Sequence, residues 1–151
     1  MLARDYDLDC SIARTLELVG ERWSLLVIRD VLLGNRRFDE IQASLGIARN
    51  VLTNRLQRLV DEGILEPRPY QRKPERFEYF LTEKGLDLWP VLVAIMGFGD
   101  RHLSGEGEEP VRIVHKDCGG RVNDRRICES CGAWLEVRDA QAVPREAPAP
   151  A

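Results

Sequence analysis

The strongest constraint on the fold is a pair of amphipathic helix patterns separated by a very short turn. Residues Arg37–Ser44 place Phe38 and Ile41 on one side of a helix, and Val51–Asp61 again repeats apolar residues at helical spacing. Between them, Leu45-Gly46-Ile47 forms a tight turn. Two helices joined this closely are typical of a helix-turn-helix, whose second helix enters the major groove of DNA.

The flanking segments indicate a winged version of this motif. Two helices, Cys10–Val19 and Trp23–Leu33, are predicted before it, and the second is apolar on all sides, which indicates a buried element. Two strand candidates follow, Ile64–Arg68 and Phe77–Leu81, joined by a charged loop with two prolines. A hairpin directly after a helix-turn-helix is a wing. The predicted fold class is therefore mainly α with a β-hairpin wing.

The chain after the wing is predicted to divide into several parts. Thr82 is a suitable N-cap for a final helix running to about Leu103, and this helix is apolar on almost every side. Such a helix in a small domain indicates a dimer, so we expect four of its residues to be largely buried, some of them across the subunit interface. They are Leu88, Leu92, Ile95 and Met96.

A flexible linker is predicted at Ser104–Pro110, a second small unit over residues 111–138, and an Ala/Pro-rich tail without a core from Ala140. We therefore assign residues 1–105 to DNA binding and dimerisation, residues 106–139 to a small module, and residues 140–151 to the tail.

Two pairs of potential ligands give the second unit its chemistry. Each pair has the form ligand-x-x-ligand, and nine residues separate the pairs. Four such ligands match a tetrahedral structural zinc with no open position for catalysis, and the ion would supply folding energy to a segment with few apolar residues. A Cys128–Cys131 disulfide and a metal-free ribbon are the alternatives. We predict one zinc per chain in a zinc-ribbon-like β module, held by His115, Cys118, Cys128 and Cys131.

Composition and charge limit the functional classes. The net charge of −3 argues mildly against a nucleic-acid partner, but phosphate binding needs only a local basic face. The N-terminus lacks the apolar stretch of a signal peptide and no apolar run reaches membrane-spanning length, so we expect a cytoplasmic protein without a membrane partner. In a reducing compartment the four cysteines are metal ligands, redox thiols or core residues. No nucleophile elbow, phosphate loop or paired carboxylates indicate an enzyme.

The fourth helix carries the residue types that a DNA-reading helix needs. Its leucines form a core face and its polar residues lie opposite, although Ala48 is a weak N-cap. Amides can read adenine, and Arg can read guanine or hold phosphate. On its own this could be a solvated helix face, but cations on the preceding helix and on the wing flank it. The predicted DNA-binding residues are Arg36, Arg37, Arg49, Asn50, Thr53, Asn54, Gln57, Arg72, Lys73 and Arg76.

An ordered series of motifs covers about two-thirds of the chain. It comprises Cys10, Gly20-Glu21-Arg22-Trp23-Ser24-Leu25-Leu26, Gly34-Asn35-Arg36-Arg37-Phe38, Gly46-Ile47, Leu52-Thr53-Asn54-Arg55-Leu56, Leu59, Glu62-Gly63, Glu78-Tyr79 and Leu81-Thr82-Glu83-Lys84-Gly85. In this order the motifs resemble the HxlR family of winged-helix regulators. The resemblance implies a homodimer, built through the N-terminal and last helices, that binds an inverted-repeat operator through Arg36, Arg37, the fourth helix and the wing. Ala48 and the C-terminal module, which most family members lack, depart from the pattern.

Cys10 lies near the predicted start of the first helix, where some members of this family use a cysteine as a redox or electrophile switch. A thiol near a helix N-terminus is more readily deprotonated, but a small buried residue at the dimer interface is an equally simple role.

The function predicted from these features is a sequence-specific DNA-binding regulator, expected to be a repressor, that responds to a redox event or a small-molecule effector. The alternative is a protein-interaction module of winged-helix fold that docks a partner through the zinc ribbon. Such a module would have no need of the six cations Arg36, Arg37, Arg49, Arg72, Lys73 and Arg76.

Overall fold

The computed structural model describes residues 6–145, whose contacts form two compact units, one up to Asp87 and one from Leu88 onward. The first unit contains α1 (Ser11–Val19), α2 (Ser24–Leu32), α3 (Phe38–Leu45), α4 (Arg49–Asp61), β1 (Leu65–Arg72), β2 (Glu75–Leu81) and α5 (Glu83–Leu86). The second contains α6 (Trp89–His102), β3 (Val111–His115), a 3-10 turn (Val137–Asp139) and β4 (Ala140–Pro144). The predicted fold class, helical with a hairpin wing and a small β module, is confirmed.

One apolar core holds the helices of the first unit together. Val27 and Ile28 in α2 and Ile41 in α3 are fully buried. From α4, three leucines at helical spacing complete this core as predicted, and each buried side chain contributes about 1.5–3 kcal/mol. These are Leu52, Leu56 and Leu59. Their burial leaves the opposite side of α4 exposed.

The turn between α3 and α4 depends on a glycine. Gly46 ends α3 with φ 63°, in the left-handed region, and its N–H donates to the carbonyl of Gln42 at 2.9 Å. Ala48 is the N-cap of α4 and makes no side-chain capping hydrogen bond, so this helix start has the weak cap expected from the sequence.

A buried carboxylate fixes the connection between α2 and α3. Asp30 is fully buried, and its side chain accepts hydrogen bonds from Arg29 Nη2 at 2.6 Å and from Asn35 Nδ2 at 3.3 Å. Its carbonyl also accepts from the N–H of Asn35 at 3.0 Å. Because a buried charge is tolerated only when it is hydrogen-bonded, these contacts hold the backbone that leads into Arg36.

The wing is longer and its turn shorter than the sequence predicts. β1 and β2 are antiparallel from the pair Leu65–Leu81 to the pair Arg72–Glu75, with an irregularity between Pro69 and Gln71. Most of the predicted loop is therefore strand. Proline is compatible with this arrangement, since both strands of a two-stranded sheet are edge strands.

The predicted single helix from Thr82 to Leu103 is wrong, because α5 and α6 are separate helices. Thr82 is the N-cap of α5 as expected, and its Oγ1 accepts from Gly85 N at 3.1 Å. The break follows from Pro90 in the first turn of α6. Proline lacks the N–H that would bond the carbonyl four residues earlier, and its ring clashes with that carbonyl.

The expected burial of α6 is only partly found within one chain. Trp89 and Val93 are buried, and Leu88, Leu92 and Met96 are half-buried. Ile95, by contrast, is 51% exposed. It belongs to an apolar stripe with Val91 at 38% and Phe98 at 56% exposure.

The predicted tail is corrected at its start, because Ala140–Pro144 forms β4. This strand pairs with β3 in antiparallel register from Val111–Pro144 to His115–Ala140. Main-chain pairing does not require large side chains, so a composition poor in apolar residues did not reveal the strand. Residues 146–151 of the predicted tail lie outside the described residues.

The second unit joins α6 to the module. Arg101 of α6 forms an ion pair with Asp124, and Glu109 in the predicted linker lies 3.5 Å from Arg121. The boundary expected after residue 105 separates α6 from the module, whereas the contacts of the described residues group them together. Every helix within residues 6–145 is too short or too polar to cross a membrane.

Replacing Leu52 with Ala should lower the free energy of unfolding of the first unit by about 2–5 kcal/mol, because it leaves a cavity in a fully buried site. The exposed neighbour Thr53 is the matched control, and Thr53→Ala should change stability by less than about 0.5 kcal/mol. Urea unfolding followed by circular dichroism measures both. Equal effects of the two changes would contradict the assignment of the α4 core face.

Candidate functional site

The exposed side of α4 carries the predicted base-reading residues. Arg49, Asn50, Thr53, Asn54 and Gln57 are all solvent-exposed. Thr53 Oγ1 donates to the carbonyl of Arg49 at 2.9 Å, and Gln57 Nε2 donates to Asp61 Oδ1 at 2.8 Å. Within residues 6–145, the side chains of Asn50 and Asn54 make no hydrogen bond, so both amides are available to base edges.

The residues before α3 are attached to the wing. The N–H of Tyr79 donates to the carbonyl of Arg36 at 2.8 Å, and Arg37 forms an antiparallel bridge with Glu78. Arg37 Nε also lies 3.0 Å from Glu78 Oε1, an ion pair that raises the pKa of Arg37. The loop is thus joined to the hairpin by one β-bridge and an ion pair, which fix Arg36 and Arg37 relative to the wing.

Aromatic rings position three of the predicted cations. The guanidinium of Arg36 lies 4.5 Å from the ring centre of Phe80, that of Arg37 lies 4.2 Å from Tyr70, and that of Arg49 lies 4.9 Å from Phe38. A guanidinium on a ring face keeps its charge and most of its donors while its position is restricted.

The backbone entering α3 has its own carboxylate cap. Glu40 Oε2 accepts from the N–H groups of Arg37 and Arg36, each at 3.0 Å. These two hydrogen bonds, with that from Arg37 the stronger influence, lower the pKa of Glu40. The anionic side chain therefore stabilises the N-terminal end of α3, where the helix dipole also favours negative charge.

The tip of the wing carries the remaining predicted cations. Arg72, Lys73 and Arg76 are exposed, and within residues 6–145 none of them forms a side-chain ion pair. Unpaired cations on a protruding hairpin are free to contact phosphate.

Sequence reasoning missed the aromatic and acidic residues that organise these cations. Arg68 also lies over Phe80, at 4.1 Å, and the strand register places Arg68 opposite Glu78. Tyr70, which lies under Arg37, is at the irregularity in the register of β1. The register would have revealed the Arg68–Glu78 pair, but the predicted loop ended the strand too early.

The second candidate site is a cluster of four ligand atoms in the module. His115, Cys118, Cys128 and Cys131 place one ligand atom each within 4.8 Å of all the others. The Sγ atoms of Cys118 and Cys128 are 3.4 Å apart, and His115 Nδ1 lies 3.4 Å from Cys118 Sγ and 3.3 Å from Cys131 Sγ. All four residues predicted from spacing are therefore brought together, and the cluster could hold a metal ion.

Glycines and backbone N–H groups surround the sulfurs. Gly119 and Gly132 have φ of 70° and 74°, which lets the chain reverse directly after each ligand pair. The N–H of Gly120 lies 3.4 Å from Cys118 Sγ, and a Cβ at Gly120 would lie 2.5 Å from Cys128 Sγ. A side chain at this position would therefore displace a ligand.

Cys128 is held in the form that binds a metal. A hydrogen bond from the backbone N–H of Cys131, helped by that of Ser130 and opposed by burial, lowers the pKa of Cys128 to about 6. The thiolate, and not the thiol, is the metal ligand.

Cys10 is the N-cap of α1 and is half-buried. Its nearest candidate cation, Arg14, forms an ion pair with Asp9 at 2.6 Å. The guanidinium of Arg14 is therefore paired with the carboxylate of Asp9.

Comparison with known proteins matches the first part of the chain to one family. The family model described as HxlR-like helix-turn-helix matches residues 18–106. An uncharacterized HTH-type transcriptional regulator of Mycobacterium tuberculosis is 42% identical over 134 residues, which are 89% of this chain and 85% of that protein. The HTH-type regulator YdeP of Bacillus subtilis is 29% identical over 106 residues, 67% of this chain and 83% of that protein.

Solved structures agree with this similarity to transcriptional regulators. PA1607, described as a candidate transcription factor, superposes with a TM-score of 0.71 at 37% identity, covering 93% of this chain and 97% of that chain. The redox regulator HypR in its reduced form has a TM-score of 0.58 at 28% identity, covering 62% of this chain and 96% of that chain. The extent of these matches and the exposed polar face of α4 identify a DNA-binding transcriptional regulator and not an enzyme. This chain belongs to the HxlR family of helix-turn-helix regulators.

Proposed function

We propose that the protein acts as a homodimeric repressor that inserts α4 into the major groove of an inverted-repeat operator. The observation that supports this most directly is the exposed face of α4. It presents amide side chains. Cations flank it on the wing and just before α3, where Arg36 and Arg37 form the α3 entrance. The amides would read base edges, and the cations would hold the flanking phosphates. A dimer bound over a promoter would exclude other proteins from it, so we assign repression.

Two exposed apolar surfaces support the dimer. On α6, Val91, Ile95 and Phe98 form a stripe at spacings of four and three residues. On α1, Ile12 is 71% exposed and Leu16 is 47% exposed, again four residues apart. Exposed apolar residues grouped on one side of a helix mark an interaction site, and a second copy of the chain would bury them.

We assign zinc to the four-ligand cluster. Ideal tetrahedral zinc, with bonds of about 2.3 Å to sulfur and about 2.0 Å to nitrogen, separates two sulfurs by about 3.8 Å and a sulfur and a nitrogen by about 3.5 Å. Three of the distances between ligand atoms are 3.3–3.4 Å, slightly short of these values, and all four ligand atoms lie within 4.8 Å of one another. Three thiolates and one imidazole suit zinc, whose role here would be to join the two ligand pairs and stabilise the module.

We also propose where the protein acts and which signal it responds to. We place the protein in the cytoplasm, where its DNA target would be. A redox response through Cys10 has support from the similarity to HypR and from the position of this thiol at a helix N-cap. DNA binding measured before and after peroxide treatment of wild-type protein and Cys10→Ser would test it.

Removing a base-reading amide and removing a wing cation should have different consequences. Asn54→Ala should reduce discrimination between the operator and unrelated DNA by about 1–3 kcal/mol if the amide makes a bidentate base contact. Lys73→Ala should weaken binding to all sequences and lower the log–log salt slope by about one unit. Fluorescence anisotropy with the DNA upstream of the protein's own coding sequence measures both effects.

Arg112→Ala is the matched control, because it removes one exposed cation from β3 in the module. It should leave the affinity and the salt slope unchanged. If Lys73→Ala behaved like this control at every salt concentration, the proposed orientation of the wing would be wrong.

Gly120→Ala should weaken metal binding at least tenfold, because the new methyl group would lie 2.5 Å from Cys128 Sγ. Gly99→Ala is the control, since a Cβ at Gly99 meets no atom within 4 Å. Elemental analysis of wild-type protein should find one equivalent of zinc per chain, and competition with a chromogenic chelator gives the relative affinities. Less than about a tenth of an equivalent in wild-type protein would instead establish a metal-free ribbon.

Ile95→Asp should shift the protein from dimer to monomer at micromolar concentration, because it places a charge in the centre of the apolar stripe. Leu33→Asp is the control, since Leu33 is 53% exposed but lies at the end of α2, outside both apolar surfaces. Sedimentation equilibrium distinguishes the two states. A wild-type monomer at this concentration would refute the dimer.

A further inference from the structure

The second unit contains a cavity of about 350 Å³ between α6 and the module. Its size lies at the lower end of the range for small-molecule sites. Val93, Met96 and Val122 form an apolar part of the lining, and Val93 and Val122 are buried. The cavity is separate from the exposed stripe of α6 and from the four metal ligands, none of which lines it.

The shape of this cavity depends on a close approach between α6 and the module. Gly97 faces Asp124 so closely that a Cβ on Gly97 would lie 2.5 Å from the Cβ of Asp124. Val93, Met96, Gly97 and Asp100 recur at spacings of three and four residues, so they share one face of α6. That face supplies both the apolar lining and one carboxylate.

The polar lining has an excess of negative charge. Five carboxylates and two guanidiniums line the cavity. Arg101 forms an ion pair with Asp124, and Arg121 forms one with Glu109. Three carboxylates are left over, and within residues 6–145 none of them has a side-chain hydrogen bond or ion pair. They are Asp100, Glu106 and Glu129.

Of these three carboxylates, Asp100 is half-buried, whereas Glu106 and Glu129 are exposed. Burial raises the pKa of Asp100, and the nearby charge of Glu109 raises it further, against a smaller opposite effect of Arg121. The negative charge of the ionised carboxylate is therefore poorly balanced by positive charge in the protein. A cation beside it would provide the missing compensation.

The arrangement distinguishes between kinds of cation. Within residues 6–145, the His/Cys cluster is the one group whose ligand atoms converge closely enough to hold a metal ion, and the cavity carboxylates are not part of it. The apolar part of the lining fits a larger ligand with a charged end and an apolar body. Phosphates and other anions would be repelled.

We propose that this cavity binds an organic cation, an amine or quaternary ammonium with a small apolar body, whose charged group lies beside Asp100 and whose body contacts Val93, Met96 and Val122. The binding itself is independent of DNA. A role of this cation as the effector of the regulator rests on the proposed function. It depends on α6, which lines the cavity and also carries the stripe assigned to the dimer.

Isothermal titration calorimetry of the full chain without DNA tests the proposal, with phenethylammonium chloride as the probe. We expect one probe per chain, with saturation below about 10 mM. The matched neutral and anionic compounds, 2-phenylethanol and 3-phenylpropionate, should bind at least tenfold more weakly. Asp100→Asn and Glu129→Gln should each lower the affinity for the probe, the first by about tenfold or more. Glu108→Gln, an exposed neighbour outside the lining, should not.

Equal binding of the charged and neutral probes, tighter binding of the anion, or no saturation would overturn the proposal. Displacement of the probe by an equal concentration of Mg²⁺ would also overturn it, in favour of a metal ion. Circular dichroism shows whether the variants fold. If Asp100→Asn does not fold, Glu129→Gln still tests the proposal. Anisotropy of operator DNA is measured separately, so a DNA-binding protein that ignores the probe refutes this inference alone.

Discussion

The pairing of β2 with the residues that lead into α3 is the contact on which the proposed DNA-facing surface depends. Asp30 and Asn35 fix the backbone before Arg36, and Tyr79 then donates to the carbonyl of Arg36. Without this pairing, a two-stranded hairpin would be a marginal structure whose position relative to α4 is poorly determined. With it, the cations of the α3 entrance and of the wing share one framework with the recognition helix. Main-chain hydrogen bonds from Tyr79 and Asn35 act together with side-chain contacts of Asp30, Glu40 and Glu78.

Much of the first unit could be predicted because its helices follow from apolar periodicity. The leucines of α4 and the glycine of the tight turn determine a helix-turn-helix before any tertiary contact is known. The errors arose where local patterns compete. Pro90 ends one helix and begins another, although apolar residues lie on both sides of it. β4 was missed because its backbone pairs with β3, and main-chain pairing leaves little trace in a composition of Ala, Gln, Val and Pro.

The two candidate sites differed in how much the sequence revealed. Metal ligands must be of a few residue types at short spacings, so His115 and the three cysteines of the module could be chosen without a structure. The cations of the DNA-facing surface were also recognisable, but the rings beneath them were not. Tyr70 and Phe80 lie under Arg37 and Arg36 through the strand register, which connects residues far apart in the chain. Likewise, the lining of the cavity comes from segments whose proximity no local pattern encodes.

α6 takes part in three features of the second unit. One face, which includes Val93 and Asp100, is packed toward the module and lines the cavity, whereas Ile95 lies on the exposed apolar stripe. A helix moves as a rigid body more easily than it deforms, because its interior hydrogen bonds and packing resist bending. A change in how the module or the cavity holds α6 would therefore also displace the stripe. In a dimeric reader of two half-sites, a small displacement at the interface changes the distance between the recognition helices, and operator affinity depends on that distance. In the dimer proposed above, the module would influence DNA binding through α6.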